Sequence, residues 1–204
     1  MIISTDDLCP VNIEGQFEYW DRLKAKHPDL QLLAFTTANW NFFRNRERKI
    51  RTVFCDDFID FCNERKDWLT LAYHGYDHSV SMSSLDIEAQ TKILEKMLKL
   101  FNKFKKKFKG KILNAYKPPF YKWNMNTLYA CENLGIDHFF MQDGILTLKF
   151  FHFQPRNAIG LIDSHTNPDT PMPDRIDLIY EKLDKMLFNQ NKLNLPEVPD
   201  NGKD

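Results

Sequence analysis

With 204 residues the chain can bury a full core in one domain, whereas two domains of that length would each be small. Its 28 lysines and arginines balance its 28 aspartates and glutamates, so no global charge draws it to nucleic acid or an acidic membrane. The chain starts Met1-Ile2-Ile3-Ser4-Thr5 without a basic leader, and no apolar run approaches the ~20 residues of a membrane helix. These features predict a soluble, cytoplasmic protein with no nucleic-acid or membrane partner; oligomeric state is not legible. Cys9, Cys55, Cys62 and Cys131 show no CxxC spacing and read as unbridged thiols in a reducing compartment.

Ile2 to Thr5 is apolar and β-branched, a buried strand leading to Asp6-Asp7 at its tip. From Asn12 to Lys26, Ile13, Phe17, Trp20 and Leu23 recur at helical steps, and Pro28 closes the helix. Leu30 to Thr36 is nearly all apolar, as in a strand buried on both faces. Thr37 to Arg51 interleaves Trp40, Phe42 and Phe43 with arginines. That pattern suits either ring stacking on a ligand or an ordinary loop whose aromatics pack inward. A short helix spans Cys55 to Lys66, and the strand Trp68 to Tyr73 delivers His74 and His78.

Ser84 reads as the N-cap of a long helix with a stripe of Leu94, Met97, Leu98, Phe101, Phe104 and Phe108, stopped by Gly110. The lysines between Lys103 and Lys111 form its solvated end. Ile112 to Tyr116 is a strand leading to Lys117-Pro118-Pro119-Phe120, Asn126 to Asn133 a helix, and His138 to Gln142 a strand leading to Asp143-Gly144. Leu146 to Phe153 and Ala158 to Ile162 read as further strands, the latter ending at Asp163-Ser164-His165. A last helix runs from about Pro173 to Phe188, and the polar tail from Asn189 to Asp204 is expected to be flexible.

This alternation predicts an α/β fold with a parallel sheet and helices outside it. An incomplete, TIM-like barrel of about seven strands fits the length, with the open doubly wound sheet as the alternative. No Gly-rich phosphate loop follows the first strand, which disfavours the nucleotide-binding version of that alternative.

Asp6-Asp7, His74 with His78, Lys117, Asp143 and His165 all stand at strand ends, and a barrel would set them on one rim. Two histidines four apart suit one metal ion if the chain makes a helical turn there, because i and i+4 share a face. An aspartate with two histidines is a facial ligand set for zinc or a neighbouring divalent metal, with positions left open for water. Of two adjacent aspartates, one can bind the metal while the other remains available as a base. Asp143-Gly144 is also a good turn signal in its own right.

Thr5-Asp6-Asp7, His74-x-x-x-His78, Lys117-Pro118-Pro119-Phe120, Asp143 and Ser164-His165 occur in the order of the five motifs of the NodB-like polysaccharide deacetylases. The chain resembles that family, of the carbohydrate esterase family 4 type, from residue 3 to about residue 166. The resemblance implies a single-domain distorted (β/α)7 barrel over residues 1–188 and metal-dependent removal of acetyl groups from N- or O-acetylated sugars. It implies that Asp7, His74 and His78 bind one divalent ion: zinc, or cobalt, nickel or iron in its place. Asp6 would be the general base and His165 the general acid, with Asp143 a supporting carboxylate and Lys117 in the position of the third motif's arginine. Phe120 would offer its backbone N–H to the oxyanion, with Tyr121 bordering the substrate cleft.

Thr5 and Leu8 replace the phenylalanine and glycine usual in the first motif, and Gly75 and Ser79 replace a small hydroxyl residue and a proline in the second. Lys117 stands for the usual arginine, keeping its charge but losing its planar fork, and Tyr121 stands where a glycine is usual. Two other functions therefore compete with sugar deacetylation. One is hydrolysis of small linear or cyclic amides at the same metal; the other is binding without turnover on the same fold.

Overall fold

The structure, a computed structural model, describes residues 2–11, 13–40, 51–79, 81–142, 144–150, 152–155 and 162–165. The described residues belong to one compact unit, Met1–Asp169. In chain order its elements are β1 (Ile2–Leu8), α1 (Ile13–Lys26), β2 (Gln31–Thr36), β3 (Asn39–Trp40), β4 (Arg51–Thr52), α2 (Asp56–Glu64) and β5 (Leu69–Tyr73). There follow α3 (Ile87–Phe104), β6 (Lys111–Tyr116), α4 (Met125–Asn133), β7 (His138–Met141), β8 (Gly144–Thr147), β9 (His152–Pro155) and β10 (Ile162–His165).

The main sheet has the order β10-β1-β2-β5-β6-β7-β8-β9, while β3 and β4 form a small antiparallel pair of their own. From β10 through β7 each neighbouring pair is parallel. Spatial order follows chain order from β1 to β7 without reversal, and β10 returns beside β1. Such one-way winding belongs to a barrel, because a doubly wound sheet reverses its strand order at a switch point. The fold class is therefore the expected one, an α/β distorted and incomplete (β/α)7-type barrel.

Two layers of apolar side chains hold it. Phe17, Trp20 and Leu23 of α1 are fully buried, at roughly 1.5–3 kcal/mol for each large apolar side chain. Tyr73, at the end of β5, meets Phe101 of α3 edge to face at 4.8 Å, so this side of the sheet is the helix-covered one. Leu33 and Phe35 of β2, Ala72 of β5, Ala115 of β6 and Phe140 of β7 form one connected cluster. The two-residue alternation of strands assigns Phe35 and Ala72 to the face opposite Leu32, Ala34 and Tyr73.

Several expectations need correction. The sheet is not parallel throughout: β7, β8 and β9 form an antiparallel meander. The link between β7 and β8 is too short for a parallel crossover, which needs a dozen or more residues. The single strand expected from Leu146 to Phe153 is broken by a 3-10 turn at Leu148–Phe150, where the buried Leu148 gives its N–H to Asp137 O at 2.9 Å. Ser84 does not cap α3. It closes a 3-10 turn (Met82–Ser84), and Asp86 accepts the Ala89 N–H at 2.8 Å. β10 carries Asp163 to His165 within it, where the expected strand ended before them; residues 158–161 of that expected strand lie outside the described residues. The aromatic and basic residues 41–50, the helix expected at Pro173–Phe188 and the tail from Asn189 lie outside the described residues. No disulfide links the four cysteines, and no helix among the described residues is long and apolar enough to cross a membrane.

Candidate metal centre

The site gathers at the C-terminal ends of the parallel strands β1, β5 and β6, where barrel folds place their chemistry. Asp6 and Asp7 were expected past the tip of β1 but lie inside it, at a register shift between Thr5 and Leu8 against β2. In a regular strand, neighbouring side chains point to opposite faces. Here Asp7 has φ 63, the left-handed region, and the irregularity lets both carboxylates serve one site. Asp6 Oδ2 lies 2.7 Å from Lys117 Nζ, while Asp7 Oδ1 lies 3.1 Å from His74 Nε2 and 3.0 Å from His78 Nε2.

The two histidines do not share a helical face. Residues 76–78 form a bend after β5, with Gly75 at φ 91 and His78 at φ 51. These two left-handed residues, rather than an i, i+4 turn, fold the second imidazole back to 5.2 Å from the first. The bend is tied down by backbone bonds from Ala38 N–H to Gly75 O (3.1 Å) and Asn39 N–H to Tyr76 O (2.6 Å). Asp77 adds a side-chain clasp, accepting from Ser79 N–H at 3.2 Å and Ser79 Oγ at 2.6 Å.

Gly75 is a structural requirement of this bend. A Cβ built there would lie 2.8 Å from Pro119 Cγ, and φ 91 is left-handed in any case. Gly75→Ser is expected to cost about 2–4 kcal/mol from strain and overpacking, read as a lowered denaturant midpoint. An unchanged midpoint would mean that the bend and Pro119 do not touch in solution.

Lys117 follows β6 and joins both halves of the site. Its carbonyl oxygen accepts from His74 Nδ1 at 2.8 Å. A carbonyl can only accept, so Nδ1 carries a proton, which fixes the ring and leaves Nε2 as the nitrogen facing Asp7. The Lys117 ammonium meanwhile holds Asp6, and both side chains are only 2 % exposed. After Lys117 comes a 3-10 turn, Pro119–Tyr121, in which Phe120 (φ 59) and Tyr121 (φ 54) are also left-handed. The bonds closing it use the amides of Tyr121 and Lys122 and leave that of Phe120 out of the turn. The Phe120 ring is 55 % exposed and packs 4.4 Å from the His78 ring. Asp7, His78, Phe120 and Tyr121 are the positive-φ residues other than glycine among those described, and all four stand here. Strained backbone of this kind persists where surrounding structure over-determines it, commonly at functional sites.

The charges of these side chains are coupled. Burial pushes the Asp7 carboxyl up, but hydrogen bonds and charges of His74 and His78 outweigh it and hold the group well below the usual carboxylate range. Burial pushes His74 down, yet the Asp7 hydrogen bond and the Asp6 and Asp7 charges win against Lys117 and raise it. Both shifts express the attraction between the carboxylates and the imidazoles. Their donor atoms lie within 4.8 Å of one another. A carboxylate oxygen and two imidazole nitrogens, one oriented by a backbone carbonyl, fit a divalent ion of the zinc type.

Of the other residues expected here, His165 is the register partner of Asp6 across the β1–β10 pair, its side chain outside the described residues. Asp143 also lies outside them. Tyr121 turns its ring to Lys117, with Nζ 4.6 Å from the centroid. Sequence reasoning missed Phe35, whose ring lies 5.2 Å from the same Nζ, and the Gly75–Pro119 contact. A glycine between two histidines is itself a signal for left-handed backbone; Phe35 carried no signal beyond its place in a strand.

No protein-family model matches the chain, and no curated protein matches it in sequence. Solved structures do match. The Xyl-CE4 domain of a multidomain xylanase from the hindgut metagenome of Trinervitermes trinervoides aligns at 14% identity and TM-score 0.54, over 95% of this chain and 91% of that one. The chitin deacetylase of the fungal pathogen Colletotrichum lindemuthianum aligns at 11% identity and TM-score 0.60, over 90% of this chain and 81% of that one. A CE4 family pseudoenzyme from Bacillus anthracis aligns at 12% identity and TM-score 0.56, over 90% of this chain and 61% of that one. At such identities the likeness is one of fold, and the chain has the fold of the NodB-like, family 4 carbohydrate esterases.

Proposed function

We propose that this protein is a metal-dependent hydrolase that removes an acetyl group from an N- or O-acetylated sugar. The observation that carries the reading is the convergence of Asp7, His74 and His78 beside the buried Asp6–Lys117 pair on one barrel rim. Asp7, His74 and His78 would hold a divalent ion, zinc in this reading. Bound there, the ion supplies Lewis acidity to the acyl group. Asp6 accepts a proton from the attacking water, and Lys117 holds that carboxylate in place. The Phe120 N–H donates to the oxyanion as the water oxygen bonds to the acetyl carbon. His165 gives a proton to the leaving nitrogen or oxygen as its bond to that carbon breaks, releasing acetate and an amine or alcohol. Asp143 is its supporting carboxylate.

One observation favours a second reading, binding without turnover. The Asp6 carboxylate is held at 2.7 Å by an ammonium as buried as itself, so a base would have to work from its other oxygen. Elemental mass spectrometry on the purified protein beside His78→Ala tests the shared metal centre. About one divalent ion per chain, lost in the variant, is the expected result; no metal after reconstitution with zinc, cobalt, nickel or iron refutes it. Acetate release from acetylated sugars then separates deacetylation from binding alone, and ammonia or ring-opened product from small amides would redirect the assignment to amide hydrolysis.

A further inference from the structure

The buried ammonium of Lys117 has neighbours that its ion pair does not account for. Its Nζ lies 4.6 Å from the centroid of the Tyr121 ring and 5.2 Å from that of Phe35. Both fall within the ~6 Å over which a ring face attracts a cation, an attraction that grows when the cation is desolvated. Lys117 is among the largest fully buried side chains of the protein. Phe35 is immobilised in turn, fully buried and set edge to face against Phe140 at 4.7 Å. Tyr121 sits in a left-handed conformation that side chains rarely adopt, with its ring on the ammonium. An ammonium is a point charge without the planar fork by which a guanidinium grips a carboxylate at two points. A lysine in this position therefore needs other groups to hold it.

We propose that Tyr121, together with Phe35, is a positioning residue: the two rings hold the Lys117 ammonium against Asp6 and so aim that carboxylate. The role of Asp6 as base rests on the function proposed above; the contact between rings and ammonium does not. Tyr121 then acts on the site through Lys117.

The test is an unfolding cycle on the metal-free full chain, joined to kinetics on the metal-loaded protein. Tyr121→Phe and Tyr121→Leu are made in the native background and in Asp6→Asn/Lys117→Met, which removes both charges together and leaves neither buried alone. Tyr121→Phe keeps the ring and is expected to lie nearer the native protein than Tyr121→Leu in both measurements. Tyr121→Leu is expected to lower the folding equilibrium constant about tenfold more in the native background than in the neutral one. With para-nitrophenyl acetate as probe, Tyr121→Leu should lower kcat about tenfold, leaving KM and metal content near native values. Equal unfolding costs in the two backgrounds would overturn the proposal, as would Tyr121→Phe behaving like Tyr121→Leu. A native protein that releases no acetate from any acetylated compound sinks the deacetylase reading instead, and the unfolding cycle then decides for or against the ring–ammonium contact by itself.

Discussion

Asp6→Asn is expected to leave the metal load at its native level and to lower turnover by a factor of about 10²–10⁴, the usual worth of a positioned general base. The reason lies in the division of labour at the β1 irregularity. Asp7 faces the two imidazoles at 3.0–3.1 Å, whereas Asp6 faces Lys117 at 2.7 Å. An amide in place of Asp6 keeps the shape and cannot accept a proton from water; it leaves the buried Lys117 ammonium without its counter-charge and so lowers stability, but the donor atoms of Asp7, His74 and His78 are untouched. Metal content by elemental mass spectrometry and acetate release on the same preparation provide the check. Equal turnover in the variant would falsify the base assignment; loss of metal would show that the two carboxylates do not divide the work.

Lys117→Met is expected to cost about 3–5 kcal/mol of stability, because it removes one partner of a buried ion pair and leaves the other charge uncompensated. Both side chains of the pair are 2 % exposed, so water cannot take over the role of the lost ammonium. Asp6→Asn/Lys117→Met should recover most of that loss, since replacing a whole buried pair with neutral groups is often close to neutral. Chemical denaturation of the metal-free forms measures both. A Lys117→Met protein as stable as the native one would mean that the pair is open to solvent, and the account of how Asp6 is aimed would fall with it.

These expectations depend on groups of very different legibility. His74 and His78 were visible as a spaced pair, and Asp6-Asp7 as a carboxylate pair beside a strand. The mechanism that brings the histidines together was not. A helical turn was the simplest local device, but the chain uses left-handed Gly75 and His78 against Pro119, a contact across more than forty residues. The N-cap of α3 was misplaced by two residues because Ser84 and Asp86 are both good caps by type. Only the path of the chain shows which of them reaches the first turn.

The sequence by itself determined the alternation of the main strands and helices from β1 to β7, because strand and helix periods are written in neighbouring residues. It also determined the order of the polar strand ends, from Asp6 through His165. The tertiary structure decided the winding that sets β10 beside β1, the antiparallel meander of β7 to β9, and the irregularity that turns two adjacent carboxylates into one site. It alone decided that Lys117 serves His74 through its carbonyl and Asp6 through its ammonium, under the rings of Phe35 and Tyr121. Those contacts join residues distant in the chain, and their strength comes from burial, which no local pattern of residues records.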